Sequence, residues 1–293
     1  MPEFGVARRY GKDIESLLLR LNQRDIDAYE IGFVYGIPQN FNYQIKNIAE
    51  KYKIKLSAHL PFYISWKNKE KIMNSINHLS RGVNFSLKLS TITVFHLGFY
   101  GGKSYRILKP KIISSICESI KLINSSLNLK QPVLGIETTG KTSEIGTLDE
   151  VIDICKTLTS DIVIPILDWA HIFARSNGKI PKSRVDFKNI LDRIESELGI
   201  NDFYFHGSGV EYKNGQEKKH VSVKTCLPPL PYLFSVLNDY GYDYKLIVES
   251  PDAIEDTLWL KEVAKNPKKW FDYTQKSLIK SLKSQQKNLI DFV

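Results

Sequence analysis

Eight short β-rich runs, each followed by a segment with helical spacing of apolar residues, constrain this chain more than any other feature. The runs are 3–7, 28–34, 55–60, 91–97, 132–137, 162–167, 202–206 and 245–250, with sequences such as "AYEIGFV", "TITVFHL" and "IVIPIL". Segments such as "DIESLLLRLNQ", "NYQIKNIAEKY" and "LDEVIDICKTL" lie between them. Apolar runs of this length suit parallel strands buried on both faces, and the intervening periodicity suits amphipathic helices. Thr147 is a candidate N-cap, with Asp149 and Glu150 in the first turn of the helix that follows. Strand–helix alternation repeated eight times predicts an α/β fold, a (β/α)8 TIM barrel. Alternation does not itself demonstrate closure, so a doubly wound open sheet is the competing architecture. The chain shows no internal repeat and no linker before about residue 275. It therefore reads as one catalytic domain, 1–275, and a basic helical tail, 276–293, which would pack across the N-terminal end of the barrel or extend the basic surface.

In a barrel of this kind, function collects where the strands end. His59 ends the third run, His96 the fourth and Glu137 the fifth; Asp168 follows the sixth, His206 ends the seventh and Glu249 lies at the end of the eighth. His171 comes three residues after Asp168, and His220 lies in the loop after the seventh strand. Of six histidines only His78 falls inside a helical segment. Any one of these residues has an ordinary structural explanation, as a cap, a turn or a hydrogen-bonded group. Together they do not. Carboxylates buried at one rim repel each other and each costs several kcal/mol unless neutralised. Neutral imidazoles beside carboxylates are what Zn²⁺, Mn²⁺ or Fe ions coordinate. Eight potential ligands exceed the needs of one tetrahedral ion and suffice for two or three.

Composition narrows the remaining classes. With 293 residues and 42% hydrophobic content, the chain can bury a full core. No run of eighteen apolar residues and no apolar leader are present, which predicts a soluble, cytoplasmic protein with no membrane association. Three scattered cysteines, Cys117, Cys155 and Cys226, make a disulfide framework or thiolate metal site unlikely to be the organising element. The net charge of +9 suits a polyanionic partner, although a lysine-rich solvated surface has the same charge. The stretch "LGFYGGKS" does not form a phosphate-cradling loop. Counting back from Gly102 places Leu97 where the first glycine of such a loop is required.

The segments "SAHLPFYIS", "VFHLGFY", "LGIETTGKTSEIGTLDEV", "PILDWAHIFA", "FHGSG" followed by "KKH", and "LIVESP" occur in an order and spacing that resembles the endonuclease IV family. The resemblance spans roughly residues 4–260. It implies a zinc-dependent apurinic/apyrimidinic endonuclease of base excision repair with a (β/α)8 barrel. Such an enzyme would act as a monomer on double-stranded DNA and cut the backbone 5′ to an abasic site. The products would be a 3′-hydroxyl and a 5′-deoxyribose phosphate.

By the same resemblance, His59, His96 and Glu137 would hold a first ion. Glu137, the central catalytic residue, would bridge to a second ion held by Asp168, His206 and Glu249, and His171 and His220 would hold a third. Phe62 and Tyr63 match an aromatic wedge for the DNA minor groove, and Lys103 in the glycine loop would meet a phosphate, with Lys219, Arg175 and Lys141 as weaker candidates. The chain departs from the family at two points. Lys218-Lys219-His220 stands where Asp-x-His is usual, which leaves Glu217 as the substitute ligand if the loop shifts. The loop "FVYGIPQNFN" also lacks the base-stack-inserting arginine common there. The alternative function is a metal-dependent sugar isomerase or epimerase, which uses the same barrel with fewer ligands and has no need of a basic surface.

Overall fold

The computed structural model describes residues 2–11, 13–124, 129 and 131–290, with side chains to residue 281. In chain order the elements are β1 (Glu3–Arg9), α1 (Ile14–Gln23), β2 (Ala28–Gly32), α2 (Ile45–Lys51), β3 (Lys55–His59), α3 (Lys69–Leu89), β4 (Thr93–Phe95) and α4 (Tyr105–Lys121). They continue with β5 (Leu134–Glu137), α5 (Leu148–Leu158), β6 (Val163–Asp168), α6 (Trp169–Arg175), α7 (Arg184–Leu198) and β7 (Asp202–Gly207). The last are β8 (Gly209–Lys213), β9 (Gln216–Val221), α8 (Leu230–Tyr240), β10 (Asp243–Val248), α9 (Ala253–Lys265) and α10 (Phe271–Ile290).

The sheet closes. Its order is β1-β10-β7-β6-β5-β4-β3-β2, and β1 pairs in parallel with both β10 and β2. This is the (β/α)8 TIM barrel, and the open sheet is excluded. Each expected strand is present, with ends displaced by up to two residues.

Two apolar layers hold the barrel. The larger lies between the strands and the surrounding helices and includes Leu18, Leu79, Ile112, Val151, Phe187, Phe205, Leu233 and Leu260. The smaller fills the barrel interior with Ala28, Val94, Ile166, Tyr204 and Ile247. Because side chains alternate along a strand, the next interior position is two residues further on. That step leads from Ala28 to Glu30, Val94 to His96, Ile166 to Asp168, Tyr204 to His206 and Ile247 to Glu249. The change from apolar to ligand-type residues at this one level forms the floor of the site.

Helix starts are defined by side-chain caps. Thr147 and Glu150 form a reciprocal capping box at α5, as the sequence predicts, and Ser183 and Asp186 form another at α7. The tail is helical to Ile290, and residue 276 falls inside α10. Its first turns do not cross the N-terminal end of the barrel. Tyr273 donates to the Lys224 carbonyl, and Leu278 packs on the cluster formed by Ala170, Phe173, Ala174 and Val210, which belong to elements that follow the C-terminal ends of β6 and β7. The side chains beyond 281, and residues 291–293, lie outside the described residues.

The α5 cap is a separable stability element. Thr147→Ala should remove about 1 kcal/mol and lower the thermal midpoint by a few degrees, read by circular dichroism, without changing the cation binding described below.

Candidate metal centre

The ligand-type side chains from six strands converge at the C-terminal mouth. Among the described residues, four groups have donor atoms within 4.8 Å of one another: His59, His96 and Glu137; Glu137, Asp168, His206 and Glu249; Asp168, His171 and His220; and Glu30, His59, His206 and Glu249. The first two are the sets that the resemblance implies for two ions, and the third adds Asp168 to the His171 and His220 implied for another; the three are joined through Glu137 and Asp168.

Local structure fixes which nitrogen of each imidazole faces the centre. His59 Nδ1 lies 2.8 Å from the Leu60 carbonyl, so Nδ1 donates and Nε2 is left toward Glu137 Oε2, also 2.8 Å away. His171 Nδ1 lies 2.8 Å from the Thr138 carbonyl, which turns its Nε2 toward His220 Nε2 at 3.4 Å. His96 Nε2 stands 2.7 Å from Glu137 Oε2. A backbone carbonyl that orients the outer nitrogen of a ligand histidine is the usual support of a metal site.

Asp168 has two separate tasks. Its Oδ1 accepts from the His171 backbone N–H at 2.7 Å and caps α6, which sets the three-residue spacing between Asp168 and His171. Its Oδ2 is buried without a hydrogen-bond partner. A carboxylate oxygen left so in a dry site is unfavourable unless a cation accepts it. This donor set fits divalent ions of the zinc, manganese or iron kind.

The charges are mutually dependent. Burial raises the Glu137 carboxyl, but His96 and His206 beside it win and hold it well below the usual range. Burial lowers His59, yet Glu137 outweighs it and pushes the imidazole up to about 9. His171 and His206 are likewise raised, against burial, by Asp168 and Glu137 for the first and by Glu30, Glu249 and Glu137 for the second. Glu249 is raised, with burial as the leading cause. Protons and metal ions therefore compete for the same nitrogens.

The loop after β7 is a hairpin rather than open loop. Its turn is Asn214-Gly215, both with positive φ, and its two strands carry one bulge. Glu211 pairs with Lys219 and Tyr212 with Glu217, so Lys218 is the extra residue. Residues three apart on a regular strand face opposite sides. The bulge brings Glu217 and His220 to the same side. Glu217 Oε2 lies 3.2 Å from His171 Nε2 and Oε1 3.3 Å from His220 Nε2, while Lys218 is exposed. His171 and His220 hold the Glu217 carboxyl down at about 2 against the effect of burial. Room for it exists only because residue 140 is glycine: a Cβ there would meet Glu217 Oε2 at 2.7 Å and His171 Cδ2 at 2.8 Å.

Above the centre lies an open cleft of about 510 Å³ lined by Arg8, Arg9, Phe62, Phe99, Lys141 and the ligand-type residues His59, His96, His171, Glu217, His220 and Glu249, among others. Phe62 is 63% exposed. Tyr63 braces the rim through its hydroxyl, which donates to the Val34 carbonyl at 3.0 Å. Lys103 is not among the lining residues; its ammonium donates to the Lys67 carbonyl at 3.2 Å. Arg175 is turned inward onto Thr139 Oγ1 and the Lys141 carbonyl, and Lys219 pairs with Glu211. Arg8 and Arg9 add to the rim residues expected from sequence, and "ARR" at the end of the first strand is a rim signal of the same kind as the histidines. Glu30, a carboxylate inside the apolar run "AYEIGFV", carried a comparable signal. Tyr35 is 88% exposed in the loop after β2, which contains no arginine.

If Glu217 completes the third set, Glu217→Ala should lower the zinc bound per chain by one equivalent in metal analysis after dialysis. Lys218→Ala should leave it unchanged.

The sequence and the fold also match known proteins. Residues 19–273 match the family model described as xylose isomerase-like TIM barrel. An uncharacterized protein of Methanocaldococcus jannaschii is 30% identical over 248 residues, covering 82% of this chain and 88% of its own. A D-tagatose 3-epimerase-like protein superposes with TM-score 0.62 at 18% identity, covering 94% of this chain and 99% of its own. AP endonuclease, family 2, from Brucella melitensis superposes with TM-score 0.59 at 13% identity, covering 89% and 99%. On the extent of the family match, the chain belongs to the xylose isomerase-like TIM barrel family.

Proposed function

We propose that this chain is a metal-dependent DNA phosphodiesterase that cuts duplex DNA on the 5′ side of abasic sites. The observation that carries the reading is the size and continuity of the ligand array: three cation sets linked through Glu137 and Asp168, and a fourth carboxylate, Glu217, at the outer histidines. A sugar isomerase or epimerase needs only a set such as Glu137, Asp168, His206 and Glu249. It leaves His59, His96, His171, His220 and Glu217 without work. Chain-fold likeness to both an epimerase-like protein and an AP endonuclease does not discriminate between the two classes.

The residues divide the task as follows. His59, His96 and Glu137 would hold one divalent ion, Glu137, Asp168, His206 and Glu249 a second, and Asp168, His171, His220 and Glu217 a third. Bound there, such ions supply Lewis acidity toward a phosphate and lower the pKa of water near it. Glu137, fully buried at the junction of two sets, keeps the donor groups together. Arg8, Arg9 and Lys141 give the cleft a cationic wall that attracts and registers a phosphate backbone. Phe62 and Phe99 present exposed rings at its edge, and an aromatic side chain pushed into a base step is cheapest where a base is already missing.

The test uses purified protein with zinc, a duplex holding one abasic site, and an intact control. Cutting should occur only at the lesion, leave a 3′-hydroxyl, stop with chelator and be absent in Glu137→Ala that melts normally. Failure to cut, with turnover of a ketose or aldose by the same preparation, would replace this reading with the isomerase.

A further inference from the structure

We propose that Glu30 is a positioning residue of the metal centre, which holds His206 so that Nδ1 faces the cation set of Glu137, Asp168 and Glu249 while Nε2–H is taken up by the Glu30 carboxylate. The inference rests on the reading that this set binds a cation.

Glu30 lies mid-strand in β2, fully buried, paired in register with Ser57 of β3. Its Oε2 accepts from the Tyr204 hydroxyl at 2.7 Å and from Ser57 Oγ at 3.2 Å, and those two hydroxyls stand 2.8 Å apart. Its Oε1 is left over. That atom stands 3.0 Å from His206 Nε2; neither atom has an aligned hydrogen bond to any group, so the two lie within reach of each other but not in line. The opposite ring nitrogen, Nδ1, is 3.2 Å from Glu137 Oε1 and 3.6 Å from Glu249 Oε1. Two ligands of one tetrahedral zinc, each roughly 2.0–2.1 Å from it, are separated by roughly 3.3 Å. The Nδ1 edge therefore has ligand spacing.

A neutral imidazole carries one proton. If Nδ1 is a ligand, Nε2 must bear the hydrogen, and His206 is wholly removed from the surface. Glu30 is the acceptor in place, clamped by Tyr204 and Ser57 so that it cannot swing away. A purely structural role would be complete with the two hydroxyls and would not require a free oxygen aimed at His206. A direct ligand role is the other competitor, since Glu30 also falls within a set with His59, His206 and Glu249.

The experiment compares the parent protein with Glu30→Ala and Glu30→Gln. Zn²⁺ affinity is read by competition with a chromophoric chelator, equivalents bound by metal analysis, and ligand geometry by Co²⁺ absorption. The number of equivalents should stay the same in both variants. One ion should bind roughly 10–100-fold more weakly in Glu30→Ala and several-fold more weakly in Glu30→Gln, whose amide oxygen still accepts the hydrogen. Unchanged affinity in both would leave Glu30 merely structural, and loss of a whole equivalent would make it a ligand; either overturns the proposal. Should Glu30→Ala not fold, unchanged affinity in Glu30→Gln overturns it alone. Parent protein that binds no Zn²⁺ would sink the underlying metal reading too, whereas normal parent binding with insensitive variants removes only this inference.

Discussion

Glu30, Glu137 and Asp168 are wholly removed from solvent within one barrel mouth, together with the fully buried His206. Like charges brought so close in a dry site repel strongly, and nothing in the apolar layer beneath them offsets that repulsion. Positive charge has to be supplied locally. The imidazoles supply it as protons, and divalent ions bound to the same nitrogens would supply more of it. Each feature of the mouth serves this balance: backbone carbonyls fix the histidine tautomers, Asp168 divides its oxygens between a helix and the cavity, and Glu217 is carried in on a bulged strand.

The barrel makes the convergence possible. Interior side chains from neighbouring strands meet at one level because pleat and stagger recur around a closed sheet. A one-residue register change would send each ligand to the helix-facing side. The apolar layer of Ala28, Val94, Ile166, Tyr204 and Ile247 is thus the platform that sets the height of the ligand layer. The rim sits above it, with Phe62 and Phe99 on loops and Arg8 and Arg9 at the end of β1.

The eight strands and the six strand-end polar residues that gather at the mouth were legible because both signals are local: an apolar run, then a polar residue at its end. Closure of the sheet was not local, and alternation alone left it open. The hairpin of β8 and β9 had a local signal, Asn214-Gly215 between two short strands, which a reading of that stretch as loop overlooks. The bulge at Lys218 had none, since it depends on pairing between Glu211 and Lys219. This is why Lys218, in the usual ligand position, pointed away from the answer and Glu217 beside it reached the site. Arg175 and Lys103 show the converse. Their charge points to phosphate, and the structure adds what charge does not reveal: Arg175 ties the loop after β5 and Lys103 the loop after β4.

The most direct test of the account is anomalous diffraction from crystals grown with zinc, recorded on both sides of the zinc absorption edge. The account requires peaks among the donor atoms of His59, His96, Asp168, His206 and Glu249, with Glu137 shared between two of them. A map with no peak near Glu137 and Asp168, or with those carboxylates turned apart, would contradict it.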